Sequence, residues 1–209
     1  MSVRAIIFDF GNVVGFFERS RAATNLAAFA RDGFDRERAM QLLTHSEYEI
    51  LYETGQISTA EILTLMRHEL GLHGGDEQLA HAFADMFTPN QAVCSLIPTL
   101  AGRYHLALLS NTNDMHYRHF RREFAFVLDR FDQVVASHLV RLRKPDPAIY
   151  RLVQNAAGCA AEEIVFIDDL PANIEAARQM GWRTILYDKD IDLVQQLQSH
   201  GIEFSPGKG

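Results

Sequence analysis

The sequence predicts an α/β protein built on a doubly wound parallel sheet, with an α-helical subdomain inserted after the first strand. Three observations predict it. Short apolar, β-branched runs alternate with amphipathic helical stretches, the pattern of βαβ units. Three of the five runs stop at polar residues of a definite kind, Asp9, Ser110-Asn111 and Asp168-Asp169. Everything between the first run and the second reads helical, well beyond the dozen or so residues that a βα crossover needs.

The first run, residues 5–8, is Ala-Ile-Ile-Phe and leads into Asp9-Phe10-Gly11-Asn12-Val13-Val14. Its β-branched isoleucines favour a buried strand. Asp9 then sits at the strand's carboxyl end, where the ligand crevice of an open α/β sheet lies. Residues 16–18 read as an exit loop, and residues 20–31 carry Ala23, Leu26, Ala27 and Ala30 at helical spacing. Asp35-Arg36-Glu37-Arg38 supplies a cap and first turn for Ala39, Leu42 and Leu43, and residues 45–52 continue with aromatic and acidic side chains. Ser58-Thr59-Ala60-Glu61 is a capping box ahead of Ile62, Leu65, Met66 and Leu70. Gly71, Gly74 and Gly75 mark a turn, and residues 78–87 form a fourth helix before a break at Thr88-Pro89-Asn90. The expected division is a sheet domain of residues 1–15 and 91–209 with a helical cap of residues 16–90.

From Val93 the alternation resumes. A helix runs to Leu100, Gly102 turns the chain, and a strand over 105–109 ends in Ser110-Asn111-Thr112. A helix over 115–124 precedes a strand over 133–137 and a proline-bracketed loop, Lys144-Pro145-Asp146-Pro147. Pro147 suits the first turn of the next helix, which runs to Gly158. The strand over 164–167 ends in Asp168-Asp169, the helix over 172–180 closes at Gly181, and a fifth strand covers 183–187. Residues 205–209 read as a loose tail.

Composition narrows the function. The 209 residues are 47% hydrophobic and 22% charged, with a formal net charge of -7, a globular chain with no electrostatic footprint for nucleic acid or an anionic membrane. Small molecules are the expected partners. Cys94 and Cys159 lack any CxxC spacing, which argues against zinc and a disulfide framework and fits a cytoplasmic, reducing compartment. The first apolar segment is too short for a leader, and no stretch has the length of a membrane span. Oligomeric state is left open.

In a parallel sheet all strand carboxyl ends share one edge, so the polar termini can converge although the sequence separates them. Together they describe a site for a phosphoryl group. Asp9 offers a carboxylate nucleophile, Ser110 a hydroxyl donor, Lys144 a positive point charge and Asp168-Asp169 an acidic pair for a hard cation such as magnesium. The segments Phe8-Asp9-Phe10-Gly11-Asn12-Val13, Leu109-Ser110-Asn111-Thr112, Arg143-Lys144-Pro145-Asp146-Pro147 and Phe166-Ile167-Asp168-Asp169-Leu170-Pro171-Ala172-Asn173 occur in this order. In that order they resemble the four motifs of a haloacid dehalogenase superfamily hydrolase with an inserted helical cap, and the likeness extends over the whole chain. The resemblance implies a Rossmann-like core and a phosphatase that acts through an aspartyl-phosphate on Asp9. It gives Lys144 a catalytic part, orienting Asp9 and holding phosphate oxygens with Ser110 and Asn111. It makes Asp9, the Gly11 carbonyl and Asp169 the Mg2+ ligands, with Asp168 and Asn173 behind them.

One position departs from that pattern. Family phosphatases usually carry a second aspartate two residues after the nucleophile, which protonates the leaving oxygen; here it is Gly11. Losing general acid catalysis costs roughly 10²–10⁴-fold. The Asp-x-Gly-Asn variant is similar to a branch that includes a sugar-1-phosphate phosphatase, which implies a sugar phosphate or another activated phosphate, with Glu47, Tyr48 or Tyr52 of the cap assisting. The alternatives are a binding or regulatory protein without turnover and, less favoured because of the paired Asp168-Asp169, a 2-haloacid dehalogenase. A phosphosugar mutase needs the acid that Gly11 replaces. Asp146 reads equally as a helix cap. His116 and His119, beside Arg118, Arg121 and Arg122, read as a solvated basic face, and His45, His68, His73 and His81 as surface or cap-core residues. Phe16, Phe17, Tyr48 and Tyr52 read as core aromatics, with Phe17 the best placed to line a pocket.

Overall fold

The structure, a computed structural model, describes residues 2–31, 33–43 and 46–204. The expectations for His45 and for the tail at 205–209 lie outside the described residues. The chain begins with β1 (Ala5–Phe8), β2 (Gly15–Phe17), α1 (Arg19–Ala27), α2 (Arg36–Leu43), α3 (Glu47–Glu53), α4 (Thr59–Leu70), α5 (Asp76–Ala84) and β3 (Phe87–Pro89). It continues through α6 (Gln91–Leu100), β4 (His105–Ser110), α7 (Asp114–Glu123), α8 (Ala125–Leu128), β5 (Gln133–Ala136), α9 (Ser137–Val140) and α10 (Pro147–Ala157). A 3-10 turn at Ala161–Glu163, then β6 (Ile164–Asp168), α11 (Pro171–Gln179), β7 (Arg183–Leu186) and α12 (Leu193–Ser199) complete it.

The main sheet has the order β5-β4-β1-β6-β7, all pairs parallel. This is the α/β sheet that the alternating runs predict. β1 is central, and the chain winds outward from it in both directions, so the crevice at its carboxyl end is a topological switch point. Both faces of β1 are covered: Ile6 and Phe8 join one apolar cluster with Phe120, Val165 and Leu197, while Ala5 and Ile7 join another with Ile149, Tyr150 and Phe166. That two-sided burial is why the strands read as unbroken apolar runs rather than alternating ones. Each fully buried Phe or Ile contributes about 1.5–3 kcal/mol.

A third apolar cluster, with Leu26, Leu63, Met66 and Phe83 at its centre, belongs to α1, α4 and α5 and takes in Met115 of α7. The capping box at Ser58 and Glu61 is present, and α4 ends at Gly71 in the left-handed conformation. The residues on either side of the helical insertion pair with one another: β2 and β3 form an antiparallel ribbon with Phe16 opposite Thr88. The sequence reading has an exit loop and a break there. Strands of three residues, paired across the whole insertion, leave no local periodicity to read. Phe87 accordingly belongs to β3 and not to the preceding helix, which ends at Ala84. Gly55, just after α3, packs so closely on α9 that an added Cβ would lie 2.3 Å from the His138 carbonyl oxygen.

Candidate active site

Asp9 follows directly on β1. Its N–H donates to the Ile167 carbonyl at 2.8 Å, continuing the β1–β6 ladder, and its own Oδ1 accepts the Phe10 N–H at 2.7 Å. Lys144 lies across the crevice with its ammonium 2.8 Å from Asp9 Oδ1 and 2.7 Å from Asp168 Oδ2. Its position is set by Asn111, whose Nδ2 donates to the Lys144 carbonyl at 2.9 Å and whose Oδ1 accepts the Lys144 N–H at 2.8 Å. Both polar atoms of the Asn111 side chain are thus engaged with the Lys144 main chain.

The two carboxylates of the fourth motif differ in their surroundings. Asp168 is fully buried; besides Lys144 it accepts the Leu170 N–H at 2.8 Å and both of its oxygens accept from Asn173 Nδ2 at 3.0 Å. Asp169 is half-buried and accepts from Asn12 Nδ2 at 2.9 Å. Asn12 makes that contact from the left-handed conformation, with φ 56°, which a short amide side chain tolerates better than most. Ser110 is buried at the end of β4, and among the described residues its hydroxyl makes only a long 3.5 Å contact with the Asn111 carbonyl.

Burial, joined by the Asp168 and Asp169 carboxylates, holds the Asp9 carboxyl above the usual range against the pull of Lys144. Burial also disfavours the Lys144 ammonium, but Asp9 and Asp168 more than offset it and keep the lysine charged. Asp169 is raised as well, first by burial. Three carboxylates with ligand atoms within 4.8 Å of one another therefore share one lysine. That surplus of buried negative charge, in oxygen ligands only, suits a hard divalent cation.

A cavity of about 100 Å3 opens beside this centre, lined at the sheet edge by Gly11, Ser110 and Asn111 and on the other side by Phe17 and residues of α1 to α5. Phe17 therefore does line a pocket. Of the three cap residues expected to assist, Glu47 is exposed and Tyr52 is occupied, its hydroxyl meeting Thr59 Oγ1 at 2.8 Å and accepting the Met115 N–H at 3.2 Å. Tyr48 does reach the cavity. Two acidic residues that the sequence reading passes over, Glu49 and Glu53, line it too. Glu53 meets Arg143, the residue before Lys144, at 2.9 Å, and burial pushes its carboxyl up to about 7.

His116 and His119 depart from the solvated-face reading. His119 is buried, and His116 stacks on Phe83 with ring centroids 4.4 Å apart. Burial lowers the His116 pKa to about 3, so the ring is neutral. Asn113 Oδ1 accepts the His116 N–H, which leaves Asn113 Nδ2 to donate to His116 Nδ1 and places the ring proton on Nε2. Asp146 caps α10 by accepting the Ala148 N–H at 2.8 Å.

A model of the haloacid dehalogenase-like hydrolase family matches residues 3–181. The chain is 25% identical over 202 residues to D-ribitol-5-phosphate phosphatase of Bacteroides thetaiotaomicron, covering 93% of this chain and 97% of that protein. It is 27% identical over 208 residues to drimenol cyclase of Aspergillus calidoustus, covering 93% of this chain but only 36% of the cyclase, so it spans about a third of that protein's length. A solved HAD family enzyme from Bacteroides thetaiotaomicron superposes with a TM-score of 0.82 at 26% identity, covering 94% of this chain and 99% of that one. The same enzyme has been solved in complex with magnesium and inorganic phosphate, with a TM-score of 0.81, 24% identity and coverage of 93% and 99%. Among the described residues no helix is long and apolar enough to cross a membrane.

Proposed function

Because the chain belongs to the haloacid dehalogenase-like hydrolase family, we propose that it is a magnesium-dependent phosphatase of a small phosphorylated metabolite, working through an aspartyl-phosphate on Asp9. The observation that carries this reading is the contact of Lys144 with Asp9 Oδ1 at 2.8 Å, beside Ser110 and a three-carboxylate cluster. Lys144 and the Phe10 N–H both engage Oδ1, which leaves Oδ2 as the oxygen whose lone pairs face the phosphorus. Attack by Oδ2 forms the Asp9–phosphorus bond and breaks the phosphorus–oxygen bond to the leaving group, whose alkoxide oxygen takes its proton from solvent. Water then breaks the new bond and frees orthophosphate, so one difficult displacement becomes two. The Ser110 hydroxyl and the Lys144 ammonium meet the phosphoryl oxygens, and Asn111 keeps Lys144 in place.

Asp9, the Gly11 carbonyl and Asp169 would hold Mg2+, which supplies positive charge against the phosphoryl oxygens. Asp168 has every favourable acceptor direction occupied by Lys144, Leu170 and Asn173, and so positions Lys144 instead of binding the ion. Residues 16–90 act as the cap that covers the leaving group. At Gly11 no carboxylate is present to protonate the leaving oxygen, so departure of an unactivated alcohol forgoes the roughly 10²–10⁴-fold that general acid catalysis supplies. The Asp-x-Gly-Asn motif raises a sugar phosphate as one candidate class, and the Bacteroides relative is named for an alditol phosphate; which leaving group this chain takes is decided by the cavity beside Asp9.

The same Gly11 favours a second reading, a phosphate-binding protein without turnover. The test is release of orthophosphate from acetyl phosphate and from a metabolite-phosphate panel, with magnesium and with chelator. Magnesium-dependent release that disappears in Asp9→Asn supports the phosphatase. Binding of inorganic phosphate with no release from any donor supports the second reading.

A further inference from the structure

We propose that the cavity beside Asp9 takes a compact apolar leaving group, so that the substrate is the phosphomonoester of a short hydrocarbon alcohol and not of a polyol. This rests on the phosphatase reading of the Asp9 centre. From Gly11 and Ser110 the cavity passes between Phe17, Ile62, Leu65 and Met66, and Ile62 and Met66 are themselves members of the apolar cluster of the cap. The inner wall of the cavity is thus continuous with a hydrophobic core. A hydrocarbon group placed there exchanges water for apolar contact and loses no hydrogen bond.

Several polar side chains on the wall have partners already. Arg19 meets Glu49 at 3.3 Å, Glu53 meets Arg143 at 2.9 Å, and the Tyr52 hydroxyl is held by Thr59 and the Met115 N–H. A sugar or alditol brings several hydroxyls, each of which must displace one of these partners or go unpaired, at a cost of roughly tenfold in affinity apiece. Among the described residues His116 Nε2 and Glu53 Oε2 have no hydrogen-bond partner, so away from the Ser110 end and the exposed Tyr48 the wall can satisfy two polar atoms, not a row of them. Size points the same way. A cavity of about 100 Å3 is on the scale of one that holds a benzene-sized ligand, roughly five to seven carbons.

The test compares 3-methylbutyl phosphate with ribitol 5-phosphate on the full chain with magnesium. Both release an alkanol-type leaving group, so the chemistry is matched and the cavity decides. The expected result is a kcat/KM at least tenfold higher for 3-methylbutyl phosphate, arising mainly in KM; an equal or higher value for ribitol 5-phosphate overturns the proposal. Leu65→Gln, at a half-buried wall position, is expected to narrow the ratio severalfold, and an unchanged ratio counts against the cavity. Acetyl phosphate reads the Asp9 centre almost without a leaving group, so its failure to turn over sinks the phosphatase reading instead. In that case calorimetry with 3-methylbutylphosphonate and 2,3-dihydroxypropylphosphonate decides the cavity by itself: tenfold tighter binding of the first sustains the proposal, and equal affinities overturn it.

Discussion

Asp168 and Lys144 meet at 2.7 Å in a place where neither side chain is more than 1% exposed. Asp168 also receives Leu170 N–H and Asn173 Nδ2, so the carboxylate ties the start of α11 to the lysine that faces Asp9. Removing one partner of a buried, hydrogen-bonded ion pair leaves the other uncompensated and costs about 3–5 kcal/mol. Asp168→Ala is therefore expected to lower the unfolding free energy by about that amount in urea titrations, and to abolish phosphatase activity. A loss of less than about 1 kcal/mol, the range of an exposed ion pair, would show that the contact does not carry the site.

The carboxylate cluster makes a prediction that needs no turnover. A ligand that binds only the folded chain stabilises it by about 2.7 kcal/mol at a hundred times its dissociation constant. Magnesium is expected to raise the melting temperature of the wild-type protein by several degrees, and Asp169→Asn to remove most of that response. Among the described residues Asn12 is the one side chain bonded to Asp169, so the variant is expected to keep the fold without magnesium. An equal magnesium response in both proteins places the ion elsewhere.

Gly11 permits a gain-of-function test. A Cβ at this position would lie 3.1 Å from Phe17 Cε1 and 4.0 Å from Asp9 Oδ2, so only one aromatic ring must shift to admit a side chain. Gly11→Asp is expected to raise kcat for unactivated alkyl phosphates by roughly 10²-fold, the low end of what general acid catalysis supplies, and to change acetyl phosphate turnover little. If both substrates respond alike, protonation of the leaving oxygen is not what Gly11 lacks.

How much of this was legible in the sequence depended on the range of the interaction that fixes each feature. β1, β4 and β6 are buried on both faces, so their apolar runs and polar ends could be read residue by residue. The β2–β3 ribbon could not, because Phe16 pairs with Thr88 across the whole insertion. α12, at Leu193–Ser199, leaves no clear helical signal in the sequence, since its seven residues bury only Leu193 and Leu197. The histidines of α7 mislead for a different reason. His116, His119 and Phe120 fall on one face and Arg118, Arg121 and Arg122 on the other, and reading them as one basic run merged a buried face with a solvated one. The part played by Asn111 was invisible, because two side-chain bonds to the Lys144 main chain have no sequence signature. Glu53 likewise matters only because Arg143 is brought to it from the core.

That Glu53–Arg143 contact gives a pH prediction. Burial raises the Glu53 carboxyl to about 7 from an ordinary value of 4.5, joined by the neighbouring Glu49 carboxylate and opposed by Arg143, Arg19 and Lys144. Between those two pH values the folded chain keeps a proton that the unfolded chain has lost. Stability from this group is therefore fully present below about pH 4.5 and declines as pH rises toward 7, by on the order of 3 kcal/mol in all. Glu53→Gln cannot titrate, and other groups titrate alike in both proteins. The unfolding free energy of the variant relative to wild type is expected to rise by up to about 3 kcal/mol between pH 4.5 and 8, measured by urea titration at each pH. A difference that stays flat across that range means that Arg143 keeps Glu53 ionised throughout. The contact would then be a permanent ion pair between α3 and the Lys144 loop, with no dependence on pH.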